Sequence, residues 1–257
     1  MNSKIYYRFF QLIFFAGIIL ISSCKKDPEP EPIPEPPPVL TCNLNITGGC
    51  LDQWANVDDG YGNVWMEPVG GFLGTLNQLY SLPASLGGPG PLTVDSTIDK
   101  YSGIYAAKLT TKMFSPTGTN NILIPGLLGA ANLDIANQTI HIGKPYTQKP
   151  TSFQGYFKYA PVNGDSALIE VYIHKYNVAL HKRDTIGYVR KTYNTTVSNY
   201  TAFNLALNYN PAYASLTPDS VSILMVSSAG INLNSLQNCV GQVGSTLWID
   251  EVSFILP

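Results

Sequence analysis

Tyrosines interleaved with charged side chains are the residues of this chain best suited to chemistry, and they fall on runs that alternate like strands. In FQGYFKY, Tyr156 and Lys158 oppose Phe153, Phe157 and Tyr159. In ALIEVYIH, Glu170, Tyr172 and His174 oppose Ala167, Ile169, Val171 and Ile173. TIGYVRKT gives Tyr188 and Arg190 one parity. YTAFNLALNY sends Phe203, Leu205, Leu207 and Tyr209 inward and leaves Ala202, Asn204, Ala206 and Asn208 as a row of small residues. If these strands are neighbours, they make one face with a small-residue floor and tyrosine and charged walls. Saccharides suit such a face. Their C–H faces stack on aromatic rings, and their hydroxyls take bonds from Arg, Lys, Glu and Asn. The same pattern also describes the solvated side of an antiparallel sheet, where tyrosines pack cross-strand.

Signals for catalysis are poor. The histidines are His141, His174 and His181, and no HExxH, GxSxG or P-loop pattern is present. Glycoside hydrolysis needs two carboxylates at a fixed separation. Glu170 has no acidic partner of the same parity on a nearby run, and Asp165 and Asp184 fall at loop ends. A second aromatic set, Trp54, Tyr61 and Trp65, flanks the turn signal Asp58-Asp59-Gly60. Trp54 reads as a core residue of a first strand. Trp65 reads equally well as a core residue or, with Tyr61, as a loop-borne ring that holds the end of a glycan chain.

The elements that position these residues are strands. Tyr 16, Gly 22 and Pro 19 suit short strands joined by turns. Glutamate in the body of the chain is limited to Glu67, Glu170 and Glu251, which argues against a helical protein. IYAAKLTTKMF is expected to form one strand, with Tyr105, Ala107, Leu109 and Met113 on its core face and Lys108, Thr110 and Lys112 on the wet one. Further strands are expected at Val221–Ser227 and Thr246–Leu256. No segment holds a helical period. The fold class is all-β, a jelly-roll-type antiparallel β-sandwich, with the closing strand beside an early one.

The amino terminus speaks to location. Lys4 and Arg8 precede an apolar run, Phe9–Ile21, shorter than the roughly 20 residues a spanning helix needs. Ile21-Ser22-Ser23-Cys24 resembles a bacterial lipobox, so residues 1–23 are expected to be a lipoprotein signal peptide and Cys24 the lipidated residue. Several acyl chains hold a protein firmly to a membrane without a span. Residues 24–40 are rich in Pro and Glu and are expected to be an extended, disordered spacer. Lys25-Lys26-Asp27 with Glu29 and Glu31 resembles a surface-export signal, which places the chain on the outer membrane facing outward. Residues 41–257 form the expected domain. Charged residues make up 12% with a net charge of −2, and Lys and Arg are scattered, so nucleic acid is not an expected partner. Of Cys42, Cys50 and Cys239, two can pair in an oxidising compartment, and spacing does not choose which.

GIYAAKLTTKMF, GKPYTQKPTSFQGYFKYAPVNGDSALIEVYI, SNYTAFNLALNYN and VGSTLWIDEVSFI occur in this order. Together they resemble the putative carbohydrate metabolism domain family, from about Leu51 to Pro257. The earlier LDQWANVDDGYGNVWMEPVGGFLGTLNQL fits more loosely, with Gln53 where the family tends to carry an acid and Asp52 one step away. The resemblance implies a jelly-roll sandwich of the carbohydrate-binding type. It also implies a structural calcium at Asp250, with Asp52 as its partner, against the simpler reading of a solvated strand acid. Asp95-Ser96-Thr97, Asp165-Ser166-Ala167, Asp184-Thr185-Ile186 and Asp219-Ser220-Val221 resemble acceptor triplets for bacterial O-glycosylation. The expected function is a non-catalytic surface lipoprotein that binds polysaccharide or oligosaccharide for partner enzymes or a neighbouring glycan-uptake protein. The alternatives are a structural or adhesive module that contacts another protein, and a glycosidase or polysaccharide lyase.

Overall fold

The computed structural model describes residues 44–116, 120–134 and 139–257. The expected signal peptide, Cys24, the Pro/Glu spacer and Cys42 lie outside the described residues. The chain folds as a jelly-roll-type antiparallel β-sandwich. One sheet has five strands, in the order β15 (Val197–Ala206), β12 (Ser152–Ala160), β18 (Thr246–Ile255), β5 (Ala106–Thr110) and β4 (Val94–Thr97). The other has seven. Its path runs β16 (Asn208–Tyr209), β14 (Lys182–Tyr193), β13 (Ala167–Asn177), β17 (Ser220–Val226), β8 (Leu127–Gly129) and β3 (Gly74–Thr75), and β11 (Lys144–Pro145) also pairs with β17. Three two-stranded hairpins sit outside the sheets: β1 (Trp54–Asp58) with β2 (Val64–Pro68), β6 (Lys112–Phe114) with β7 (Ile122–Ile124), and β9 (Ala131–Asp134) with β10 (Thr139–Ile142). Short 3₁₀ turns supply the helical residues. The closing strand β18 lies between β12 and the early β5, as a jelly roll requires.

Period-two alternation builds the core between the sheets. Phe153, Phe157 and Tyr159 of β12 face Ile169, Val171 and Ile173 of β13, all buried. The Phe153 ring lies 5.5 Å from that of Phe203 and 5.4 Å from that of Phe254 in tilted pairs, each worth about 0.5–1.5 kcal/mol beyond area burial. A second core lies outside the seven-stranded sheet. There Leu168, Leu224 and Val226 pack under Leu76, Leu79, Phe114, Ile124 and Leu127. Its presence explains why β13 reads as five buried residues in succession, Ala167 to Val171. Both faces of that stretch are covered.

The expected single strand over Ile104–Phe114 is two. Thr111 breaks it, fully buried, with its hydroxyl 2.7 Å from that of Ser227 and 2.6 Å from that of Ser228. Beyond this break the phase inverts. Phe114 is buried and Met113 is exposed, because β6 leaves the five-stranded sheet to pair with β7. Cys50 is disulfide-bonded, and Cys239 is a free thiol. Cys239 is therefore not one of the two paired cysteines: it caps the 3₁₀ turn Leu236–Asn238, where Asn232 N–H donates to its sulfur at 3.2 Å.

Candidate functional site

The long strands alternate between sheets: β12 in the five-stranded, β13 and β14 in the seven-stranded, β15 back in the five-stranded. The single face expected from Tyr156 to Asn204 is therefore two faces on opposite sides of the sandwich. Outward parity was read correctly for each strand, but parity alone does not say which sheet a strand joins.

On the outer face of the seven-stranded sheet, Glu170, Tyr172, His174, Tyr188 and Arg190 come together. Tyr172 stands directly opposite Tyr188, and Glu170 opposite Arg190. The Tyr172 and Tyr188 rings are near-parallel with centroids 5.6 Å apart, and His174 continues the stack at 5.7 Å. Glu170 is buried at 4% exposure. Its Oε1 accepts from Arg190 Nη1 at 3.0 Å and from the Tyr172 hydroxyl at 2.6 Å. Burial, reinforced by that carboxylate, pushes the Tyr172 hydroxyl up to about 12. It therefore stays a neutral donor. Burial, then the nearby Arg183, pushes His174 below its ordinary value, so its ring is neutral at pH 7. A β-bulge between Ile173 and His174 re-aims β14 here. Arg183 reaches across to donate to the Ile142 carbonyl at 2.7 Å and tethers the end of β10 beside this face. The result is a ladder of aromatic faces next to a half-exposed guanidinium.

Tyr156, Lys158 and Asn204 lie on the outer face of the other sheet. Lys158 stands opposite Trp248, its Nζ 5.0 Å from the Trp248 ring centroid and 5.2 Å from that of Tyr200. Lys108 approaches the same Trp248 at 5.9 Å. The sequence reading missed Trp248, although the alternation in TLWID, with Leu247 and Ile249 inward, was enough to turn it outward. A strap, residues 98–105, covers much of this face. Tyr101 stacks on Tyr156 at 3.5 Å, and Asp99 pairs with Lys158.

Two aspartates from opposite ends of the chain clasp this strap. Asp250 Oδ2 accepts from Tyr101 N–H at 2.8 Å and from Ser102 N–H at 3.1 Å, while Oδ1 accepts from Glu251 N–H at 2.9 Å. Asp52 Oδ1 accepts from the N–H groups of Ile104 and Tyr105. Asp52 and Asp250 thus meet at one loop. Their oxygens face N–H donors, which repel a cation, and the described residues contain no group of three or more His, Cys, Asp or Glu side chains that could hold a metal. This arrangement does not fit calcium.

Trp65 and Tyr61 part company. Tyr61, at the tip of the β1–β2 hairpin, is 91% exposed, whereas Trp65 is buried at 6%. Trp54 is partly buried against the main core. Trp65 lines a cleft of about 500 Å³ together with Asp58, Asp59, Glu67, Gln78 and Ser81. Its indole N–H donates to Glu67 Oε1 at 3.1 Å, and Thr75 gives Glu67 two more hydrogen bonds. Burial raises Glu67, while the Asn63 amide lowers Asp59. Of the four Asp-hydroxyl triplets, Thr185 is exposed, whereas Ser220 is buried and donates to Asp219 at 3.0 Å.

The model of one protein family, described as "Putative carbohydrate metabolism domain", matches residues 77–255. A crystal structure of a putative glycoside hydrolase from Bacteroides thetaiotaomicron is similar at 18% identity and TM-score 0.58, over 85% of this chain and 72% of that one. Another, from Bacteroides vulgatus, is similar at 17% identity and TM-score 0.54, over 80% of this chain and 96% of that one. At these identities the likeness is one of fold. No curated protein matches the chain.

Proposed function

The chain belongs to the putative carbohydrate metabolism domain family, and from that premise we propose that its sandwich binds polysaccharide on the outer face of the seven-stranded sheet. One observation carries this reading: the stacked ladder of Tyr188, Tyr172 and His174 lies beside the Glu170–Arg190 pair. The rings offer flat apolar faces to sugar C–H groups. Arg190 offers donors beyond the one bonded to Glu170. Glu170 is held by two hydrogen bonds and has no second carboxylate opposite it, so the face binds without cutting. The lipobox and spacer would hold the domain on the cell surface, where captured glycan passes to partner enzymes or to an importer. The family's description and the two similar structures, both described as putative glycoside hydrolases, support a carbohydrate ligand.

Native gels containing each of a panel of polysaccharides test this with the purified protein. Retardation by at least one glycan is expected. It should be lost in Tyr188→Ala and Arg190→Ala and kept in Tyr156→Ala, on the opposite face. Retardation by none would replace the reading with a protein-contacting surface module. Retardation lost only in Tyr156→Ala would move the site to the five-stranded sheet. Protease shaving of intact cells tests display: protection of the chain would overturn it.

A further inference from the structure

We propose that the cleft beside Trp65 is a pocket for a single uncharged sugar unit, separate from the face that carries Tyr172. This rests on the glycan reading above and names a second site for it. The volume, about 500 Å³, lies within the range of small-ligand sites. The walls come from the β1–β2 hairpin, β3, the 77–81 turn and β9.

The pocket is preformed. Glu67, bonded to the Trp65 indole N–H and to Thr75 N–H and Oγ1, fixes the indole edge against the cleft. Asp59 is committed to the hairpin turn, accepting from Tyr61 N–H, Asn63 N–H and the Asn63 amide. Groups fixed in this way lose little freedom when a ligand arrives. Two polar groups remain open. Asp58 Oδ1 accepts from Gly60 N–H, and its other oxygen takes no hydrogen bond among the described residues. The Gln78 amide likewise makes none, although its backbone carbonyl accepts from Ser81 Oγ. The first offers one open carboxylate oxygen as acceptor and the second an amide donor and acceptor, which suits vicinal hydroxyls. At Gly71, which lines the cleft, a Cβ would meet nothing within 4 Å, so this side is open to an entering ligand.

Charge selects among sugars. Asp58, Asp59 and Glu67 all line the cleft, and none of the described residues that line it is Lys or Arg. A uronate or sulfated sugar would bring an anion against three carboxyls with no compensating cation. Hydroxyl donors meet acceptors there.

Titration of the full-length protein with neutral monosaccharides and disaccharides and with their uronate counterparts, followed by tryptophan fluorescence and calorimetry, tests the proposal. Saturable binding of at least one neutral sugar is expected, weaker by about tenfold or more for its uronate. Ser81→Trp, which fills the cleft, should abolish it. Gln78→Ala and Asp58→Asn should weaken it. Tyr188→Ala should leave it intact. Absence of saturable binding by any neutral sugar, or binding unchanged in Ser81→Trp and in Gln78→Ala, would overturn the pocket. If Ser81→Trp fails to fold, Gln78→Ala at the half-buried Gln78 decides alone. The two sites fail separately. Polysaccharide retardation without sugar titration removes the pocket and keeps the face. Sugar titration without retardation does the reverse.

Discussion

Asp250 shows how position, not residue type, sets a side chain's behaviour. Its carboxyl is fully buried and accepts three backbone N–H groups. Burial outweighs those donors and raises it to about 6, with the Glu251 carboxylate adding to the effect. A carboxyl raised on folding binds more protons folded than unfolded. Its stabilisation is complete below about pH 4 and is lost as pH rises through about 6. The stability gap between the native chain and Asp250→Asn should therefore shrink by on the order of 3 kcal/mol between pH 4 and pH 7. Urea melts at several pH values measure it, and a gap that grows with pH would contradict the assignment. In LWIDEV, Asp250 reads as a calcium position or as a solvated strand acid, and the structure makes it neither, since it is fully buried and bonded to N–H groups. Its role as a clasp was not legible, because its partners are backbone groups about 150 positions away and leave no mark on composition.

At the scale of elements, Thr111 shows where sequence alternation breaks. IYAAKLTTKMF reads as one amphipathic strand, yet the chain changes partners at Thr111. The reason is a buried hydroxyl cluster. Thr111 Oγ1 contacts Ser227 and Ser228, Ser227 Oγ accepts from Gly126 N–H at 2.8 Å, and Ser228 Oγ donates to Asp165 at 2.6 Å. Thr111→Val keeps the shape and removes the hub, leaving a buried hydroxyl without its partner. A loss of about 1–3 kcal/mol is expected in chemical denaturation, larger than for Thr110→Val on the half-exposed neighbour. Equal effects would show that the cluster is not what ends β5. By contrast, β12 was legible, since it alternates over nine residues and its buried face fixes its register, whereas YTAFNLALNY divides into β15 and β16 in different sheets.

For the whole molecule, two cores share one sheet. Leu168 and Ile169 are adjacent, both 1% exposed or less, yet Ile169 packs between the sheets and Leu168 under the 76–127 cover. Both changes to Ala should cost about 2–5 kcal/mol. Their reach should differ. Hydrogen exchange in Leu168→Ala should quicken chiefly in the 76–92 and 120–128 segments, whereas Ile169→Ala should quicken it across both sheets. The same pattern in both variants would mean that the cores unfold as one. A second core beside the ladder also explains why Glu170 is buried although it faces outward: Leu224, its partner on β17, is already covered.

The sequence by itself determined the fold class, the long strands β12, β13, β14, β17 and β18, and the parity of the candidate residues they carry. Those follow from local alternation and from the shortage of helix formers. It also determined that Glu170, Tyr172, His174, Tyr188 and Arg190 could share a face, because β13 and β14 are joined by a short turn and must pair. Only the tertiary structure decided that Tyr156, Lys158 and Asn204 stand on the opposite side, that Asp52 and Asp250 hold a strap, and that Trp65 borders a cleft. Each of these depends on which sheet a strand enters or which loop folds over it. Such choices are made by contacts between residues far apart in the chain, where alternation of two is the same whichever sheet a strand joins.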